Sequence, residues 1–238
     1  MESRLIVAID GLGIEESLDL AETLCQVPGV WGVKFNDLLR RAGCQLVLSE
    51  LRDRLSSARV MVDLKLHDIP NTVANDCKAL AKLGADIVTV HASGGREMIR
   101  AAVEAIGDSG WVIGITALTS LTVDDCDRIY RRRPDHLVST LLREAQAGGA
   151  AGIVCSPQEL DMLNQQSIPE RRLLRITPGI RPAGGGTADD QRRVGTPQYA
   201  IERGAHFLVV GRPITGADNP VEAARTIVAE IEAARVPA

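Results

Sequence analysis

Asp63, Lys65 and Asp68 stand within six positions of one another at the end of the apolar run "RVMVDLK". Charges at the end of a buried strand are costly to desolvate, so three together call for a reason. Asp63 and Lys65 are two apart, so on a strand they project from one side, with Leu64 and Leu66 facing the other. Asp68 lies past the strand end, because Pro70 bars its segment from continuing as regular strand or helix. Neighbouring carboxylates favour the charged form of Lys65. A cation held rigidly in this way is available as a proton donor. The bland alternative is an ion-pair network that caps the strand. Asp10 and Lys34, from neighbouring runs, would meet the same spot and complete an alternating Lys-Asp-Lys-Asp array. Such an array is an expensive way to cap a strand.

The elements that must position these residues are short apolar runs with helix-like segments between them. The runs are "RLIVAID" (4–10), "WGVKF" (31–35), "RVMVDLK" (59–65), "DIVTVH" (86–91), "WVIGITAL" (111–118), "AGIVCS" (151–156), "LLRITPG" (173–179) and "HFLVVG" (206–211). They are continuous and rich in β-branched residues, as strands buried on both faces of a parallel sheet are. In "NTVANDCKALAKLG" (71–84), Val73, Cys77, Leu80 and Ala81 fall at helical spacing and Gly84 ends the helix. Eight strands alternating with helices predict a single-domain (β/α)8 TIM barrel over residues 1–238. A doubly wound open sheet is the second candidate, but "DGLGIEES" after the first run lacks the G-x-G-x-x-G spacing.

In such a barrel the functional groups project from the C-terminal strand ends. Here those ends carry Asp10, Lys34, Asp63 with Lys65, His91, Thr119 with Ser120, Arg181, and Gly211 with Arg212. Gly211 permits close backbone approach, and Arg212 supplies a planar fork suited to phosphate oxygens. They follow strand eight, beside the Gly-rich segment "RPAGGGTADDQ" (181–191) after strand seven, which is the usual place of a barrel phosphate site and its closing loop. His67 alternates away from Lys65, His91 reads as a satisfied polar residue at a strand end, and His136 and His206 read as structural. The basic run Arg131–Arg133 reads as a solvated helix end or loop.

The 238-residue chain is 45% hydrophobic and 24% charged, with a formal net charge of −4, which argues against a nucleic-acid-binding surface. Its five cysteines form no Cys-x-x-Cys pair. Neither a metal site nor a disulfide framework is indicated, and a reducing cytoplasm fits. There is no signal-peptide core and no apolar run of membrane-spanning length, so no membrane partner is expected.

The segment "DLKLHDIPNT" (63–72) resembles the D-x-K-x-x-D-I-P-N-T signature of the orotidine 5′-phosphate decarboxylase family in its short bacterial form. "VAID", "VKF", "VHASGG", "ALTS", "VCSPQE", "TPGIRP", "DQRR" and "VVGRPIT" resemble further family segments in order along nearly the whole chain. The resemblance implies a homodimeric (β/α)8 barrel that decarboxylates orotidine 5′-phosphate to UMP without metal or cofactor. It implies that Lys65 protonates C6 of the pyrimidine, with Asp63 beside the substrate carboxylate. Asp68, with Ile69 and Thr72, would reach into the partner subunit's site. Asp10 and Lys34 would bind ribose hydroxyls, and Thr119 would contact the pyrimidine. Gln191, Arg212 and the Gly211 backbone would hold the phosphate, with Arg181 in the same loop system and residues 182–190 closing over it. One departure is "VKFNDLL", where many members read K-V-G with a Glu two residues further on: Lys34 is kept, but the following Gly is Phe35 and the acidic position is Asp37.

Two other readings remain open on the residues. A metal-dependent sugar-phosphate decarboxylase or lyase of the same barrel would share D-x-K-x-x-D and use an acid on strand two, for which Asp37 is the candidate. A non-catalytic nucleotide-binding barrel would have no use for the Lys34-Asp63-Lys65-Asp68 set.

Overall fold

The computed structural model describes residues 4–165, 173–182 and 194–234. Eight parallel strands close into a barrel in sequence order: β1 (Leu5–Ile9), β2 (Val30–Phe35), β3 (Val60–Leu66), β4 (Ile87–His91), β5 (Trp111–Ile115), β6 (Gly152–Val154), β7 (Leu174–Thr177) and β8 (Phe207–Val210). Between and after them lie α1 (Ile14–Cys25), α2 (Asp37–Ala42), α3 (Cys44–Arg54), α4 (Pro70–Lys82), α5 (Gly95–Ile106), α6 (Val123–Tyr130), α7 (Pro134–Ala147), α8 (Leu160–Gln165), α9 (Pro197–Glu202), α10 (Arg212–Thr215) and α11 (Pro220–Ala233). The closed order excludes the open-sheet alternative. Six of the eight apolar runs contain their strand and overshoot it, whereas β2 begins one residue before its run, at Val30, and β3 ends one residue after its run, at Leu66. β5 stops at Ile115, and the Thr116 hydroxyl then donates to the Val154 carbonyl at 2.7 Å, tying the ends of β5 and β6 together.

Alternation along the strands separates two apolar layers. Leu5, Val7 and Ile9 of β1 pack outward against the helices, while Ile6 and Ala8 point into the barrel with Met61, Ile87, Ile113 and Ile176. The N-terminal mouth is closed by aromatics: Trp31 meets Phe207 edge-on at 5.6 Å and stacks on Trp111 at 6.4 Å. The predicted 71–84 helix is α4, which buries Val73, Cys77 and Leu80. Pro70 opens it, since its missing N–H has no partner to lose in a first turn. Leu64 and Leu66 pack against the outer layer as alternation requires. Arg131 to Arg133 are exposed between α6 and α7.

Two irregularities break the ladders. Between β1 and β2 the register steps from Leu5↔Val30 to Ile6↔Gly32, so β2 carries one extra residue. Trp31 and Lys34 are three apart, yet Trp31 packs inside the barrel and Lys34 lines a cavity at its opposite mouth. Strict alternation would have put them on opposite faces, and the bulge reconciles them. It depends on Gly32, because a Cβ there would lie 2.2 Å from the Arg59 carbonyl oxygen. Backbone in a closed barrel has little room to yield. Gly32→Ala is therefore expected to destabilise the protein by about 1–3 kcal/mol in urea unfolding, through overpacking between β2 and β3.

Candidate active site

At the C-terminal mouth of the barrel lies a cavity of about 590 Å³. Its floor is apolar, with Ala8, Met61, Ile115, Val154 and Val209 turned inward. Above the floor the charges form a chain. The Lys34 ammonium donates to Asp10 Oδ2 at 3.1 Å and lies 3.4 Å from Asp63 Oδ2. Lys65 Nζ donates to that same Asp63 oxygen at 2.8 Å. The other oxygen of Asp63 accepts from the Thr89 hydroxyl at 2.9 Å. Lys34 and Asp63 are each only 7% exposed, so the centre of the array is dry while Asp10 and Lys65 open toward the cavity. A buried carboxylate bound by two ammonium groups and a hydroxyl has its acceptor sites well used, the condition under which a buried charge is tolerated.

Lys65 reaches this array from an unusual backbone. Its φ is 53°, a left-handed conformation for a residue with a Cβ. In the β3–β4 ladder the pairing passes from Val62↔Val88 to Leu66↔Val90, so four residue steps on β3 oppose two on β4. Such a conformation costs about 1–3 kcal/mol and persists only where its surroundings over-determine it.

The expected site residues fall into three groups. Asp10, Lys34, Asp63, Lys65, Thr119, Arg181, Gly211 and Arg212 all line the one cavity. Asp68 and Ile69 are exposed and Thr72 is half-buried, and none of the three lines the cavity of its own chain. The Asp68 carboxylate caps its own turn, accepting from the Ile69 N–H at 2.7 Å. Gln191 and residues 183–190 of the expected closing loop lie outside the described residues.

Sequence reasoning did not single out Asn36 or Thr89. Asn36 lines the cavity just past Lys34. Thr89 is fully buried, and by alternation from Ile87 it points inward. A threonine within a β-branched run carries no sign of a polar role, because the same residue is an ordinary strand former. Asp37 takes no part in the cavity lining. Its Oδ2 accepts from the Gly11 N–H at 3.2 Å and from Arg41 Nε and Nη2 at 3.1 and 3.0 Å. Burial works to raise its carboxyl, but the Gly11 N–H and the Arg41 guanidinium outweigh burial and hold it below the usual carboxylate range. Among the described residues, no group of three or more His, Cys, Asp or Glu side chains is placed to hold a metal ion.

His67 and His91 lie beside the site with their rings 5.2 Å apart, and neither lines the cavity. Nδ1 of His206 accepts from the Arg175 N–H at 3.1 Å, a structural contact. Burial, then the neighbouring His67 and the Lys65 cation, push His91 below its ordinary value of 6.5, with Asp63 opposing. The folded chain thus resists a proton that the unfolded chain accepts. Stability is expected to fall as pH drops below 6.5 and to level off below the folded-state value. Urea midpoints measured from about pH 7 to about pH 5 should decline more steeply for the wild-type protein than for His91→Asn.

The profile of the orotidine 5′-phosphate decarboxylase / HUMPS family matches residues 3–227 of the chain. The chain is 43% identical over 238 residues to orotidine 5′-phosphate decarboxylase of Halorhodospira halophila, covering 97% of each chain. It is 38% identical to the enzyme of the same name from Moorella thermoacetica, covering 97% of this chain and 93% of that one. The fold superposes on the crystal structure of orotidine 5′-phosphate decarboxylase from Lactobacillus acidophilus with a TM-score of 0.79 at 36% identity, covering 96% of this chain and 99% of the other.

Proposed function

Since the chain belongs to the orotidine 5′-phosphate decarboxylase / HUMPS family, we propose that its cavity decarboxylates orotidine 5′-phosphate to UMP with Lys65 as the proton donor. The enzyme is a carboxy-lyase of pyrimidine biosynthesis. The observation that carries the assignment of roles is the Asp10–Lys34–Asp63–Lys65 chain, in which one buried carboxylate is shared by two ammonium groups.

In this reading the substrate carboxylate lies beside Asp63, and like charge disfavours the ground state there. The C6–carboxylate bond breaks heterolytically, CO2 leaves, and the electron pair stays on C6. No adjacent π-acceptor delocalises that pair, so preorganised charge must stabilise it, and Lys65 stands ready for this. Lys65 then gives a proton from Nζ to C6 and regains one from solvent. Asp10 and Lys34 hold the ribose hydroxyls and Thr119 the pyrimidine. Arg212, Gly211 and Gln191 hold the phosphate, with Arg181 in the same loop system. Binding energy from the phosphate offsets the cost of bringing the carboxylates together.

The reading uses no metal or cofactor. Asp37, the candidate for the acid a magnesium-dependent relative would need on strand two, lies past β2 at the start of α2 and outside the cavity lining, with its Oδ2 held by Gly11 and Arg41 and its Oδ1 buried. The working unit is a homodimer with shared sites, in which Asp68, Ile69 and Thr72 serve the neighbouring cavity. The support is that these residues belong to the signature segment yet stand outside their own cavity, with Ile69 66% exposed. The compartment is the cytoplasm, in keeping with five free cysteines, and neither nucleic acid nor membrane is a partner.

Purified protein in EDTA is expected to turn over orotidine 5′-phosphate, read as loss of substrate absorbance with release of CO2. Lys65→Ala should lower kcat about a thousandfold or more. Turnover only on adding magnesium would instead assign the lyase chemistry, and no turnover by folded protein would leave a binding module. Site sharing has its own test. A mixed dimer of Lys65→Ala and Asp68→Ala chains should recover activity well above either parent, because one of its sites regains both residues. No recovery would show that each site is built from one chain.

A further inference from the structure

The backbone that carries Lys65 is held by two side chains that the reaction itself does not use. At the β3 bulge the Leu64–Lys65 peptide lies between the paired positions Val62 and Leu66. Side chains take both of its polar groups. Arg40 Nη2 donates to the Leu64 carbonyl at 2.7 Å, and the Lys65 N–H donates to Thr89 Oγ1 at 2.9 Å. The Thr89 hydroxyl in turn donates to Asp63 Oδ1 at 2.9 Å, and the second Asp63 oxygen accepts from Lys65 Nζ at 2.8 Å. A closed loop of contacts therefore runs from the Lys65 backbone through Thr89 and Asp63 to the Lys65 ammonium. On the far side, Arg40 is itself oriented by the cavity residue Asn36, whose Oδ1 accepts from Arg40 Nε at 3.0 Å.

We propose that Thr89 and Arg40 are positioning residues that clamp the Leu64–Lys65 peptide and so fix the direction from which the Lys65 ammonium meets the reacting carbon. The inference rests on Lys65 being the proton donor. Rotation about φ of Lys65 turns that peptide plane relative to the Cα–Cβ bond, so a fixed plane means a fixed side-chain direction. At φ 53° the residue has no intrinsic reason to stay. Released from both contacts, it relaxes toward ordinary extended backbone and its side chain leaves the array. The groups assigned to the ribose and phosphate stand on other strands and loops, so their grip survives. The clamp thus acts on the chemical step and not on binding. Thr89 is suited to this because its hydroxyl accepts and donates at once. Serine keeps both functions, whereas valine keeps the shape and neither function.

The test uses the full chain carrying Thr89→Val, Thr89→Ser or Arg40→Met, with Lys65→Ala alongside. Three quantities are read: steady-state turnover of orotidine 5′-phosphate, hydrogen exchange of the Lys65 amide, and melting temperature. Thr89→Val is expected to lower kcat about 100-fold while KM stays within about threefold, with Thr89→Ser within about fivefold of wild type. Its Lys65 amide should exchange at least about tenfold faster, an opening confined to the bulge. Arg40 is an exposed residue on α2, so Arg40→Met reports on the clamp even if Thr89→Val fails to fold, and its kcat should fall about tenfold. The proposal is overturned if kcat of the folded variants stays within about threefold of wild type, or if Thr89→Ser is as impaired as Thr89→Val. Amide exchange unchanged in Thr89→Val also overturns it. Retained turnover in Lys65→Ala would instead sink the donor assignment, and the exchange measurement would still judge the clamp.

Discussion

Two lysines share one oxygen of Asp63 at a position that solvent barely reaches. Moving a carboxylate into such a place costs several kcal/mol, and only close opposite charge with full hydrogen bonding offsets it. The rest of the mouth follows from that requirement. Lys34 must come inward from β2, Lys65 must turn back from the end of β3, and Thr89 must supply a donor from β4. Three adjacent parallel strands are the least framework that can bring those groups to one point. The helices and the outer apolar layer keep the strands from moving apart.

The means by which the strands deliver these groups are local faults in their own regularity. A faithful alternation from Trp31 would have turned Lys34 toward the helices, and the extra residue at Gly32 restores it to the cavity. The β3 bulge gives Lys65 a backbone that no ordinary strand offers. The two faults sit in adjacent strands, β2 and β3, enclosed on either side by the rest of the ring, so the closed barrel holds what an isolated pair of strands would relax. The aromatic closure by Trp31, Trp111 and Phe207 fills the opposite mouth, and the polar end is then the only one left to shape a cavity among the described residues.

This division explains what could be read from the residues alone. The strand runs, the closed barrel and the gathering of Asp10, Lys34, Asp63, Lys65, Thr119, Arg181, Gly211 and Arg212 at one mouth follow from apolar patterning and from the polar residues that end each run. The bulges do not follow, because a continuously buried strand has no in-out alternation whose interruption would mark them. Without the bulges there is no means to see that Thr89 faces Asp63, or that Arg40 reaches the Leu64 carbonyl. The ends of β5 and β6 were overestimated for a related reason. The apolar run continues into the loop wherever loop residues also pack, as Ala117 and Cys155 do. Asp37 looked like a free acid because its partner Arg41 belongs to the next turn of helix, and the Gly11 N–H comes from another loop entirely.

The array also has a direction. Asp10, Lys34, Asp63 and Lys65 are formally balanced, two of each sign, so their combined field is weak at a distance and steep between neighbours. A substrate carboxylate set beside Asp63 stands at the negative end of one such step. In the proposed reaction, loss of CO2 leaves the electron pair on C6, within reach of the cation at the other end. Negative charge therefore travels from the place where the array disfavours it to the place where the array favours it. A field arranged this way lowers the barrier without tightening the ground state, as differential binding demands. The gain depends on the direction in which the Lys65 ammonium is held while it contacts Asp63 at 2.8 Å. That direction must be built into the backbone before the substrate arrives, and a lysine fixed at φ 53° between its clamp and Asp63 meets the demand where a freely rotating one would not.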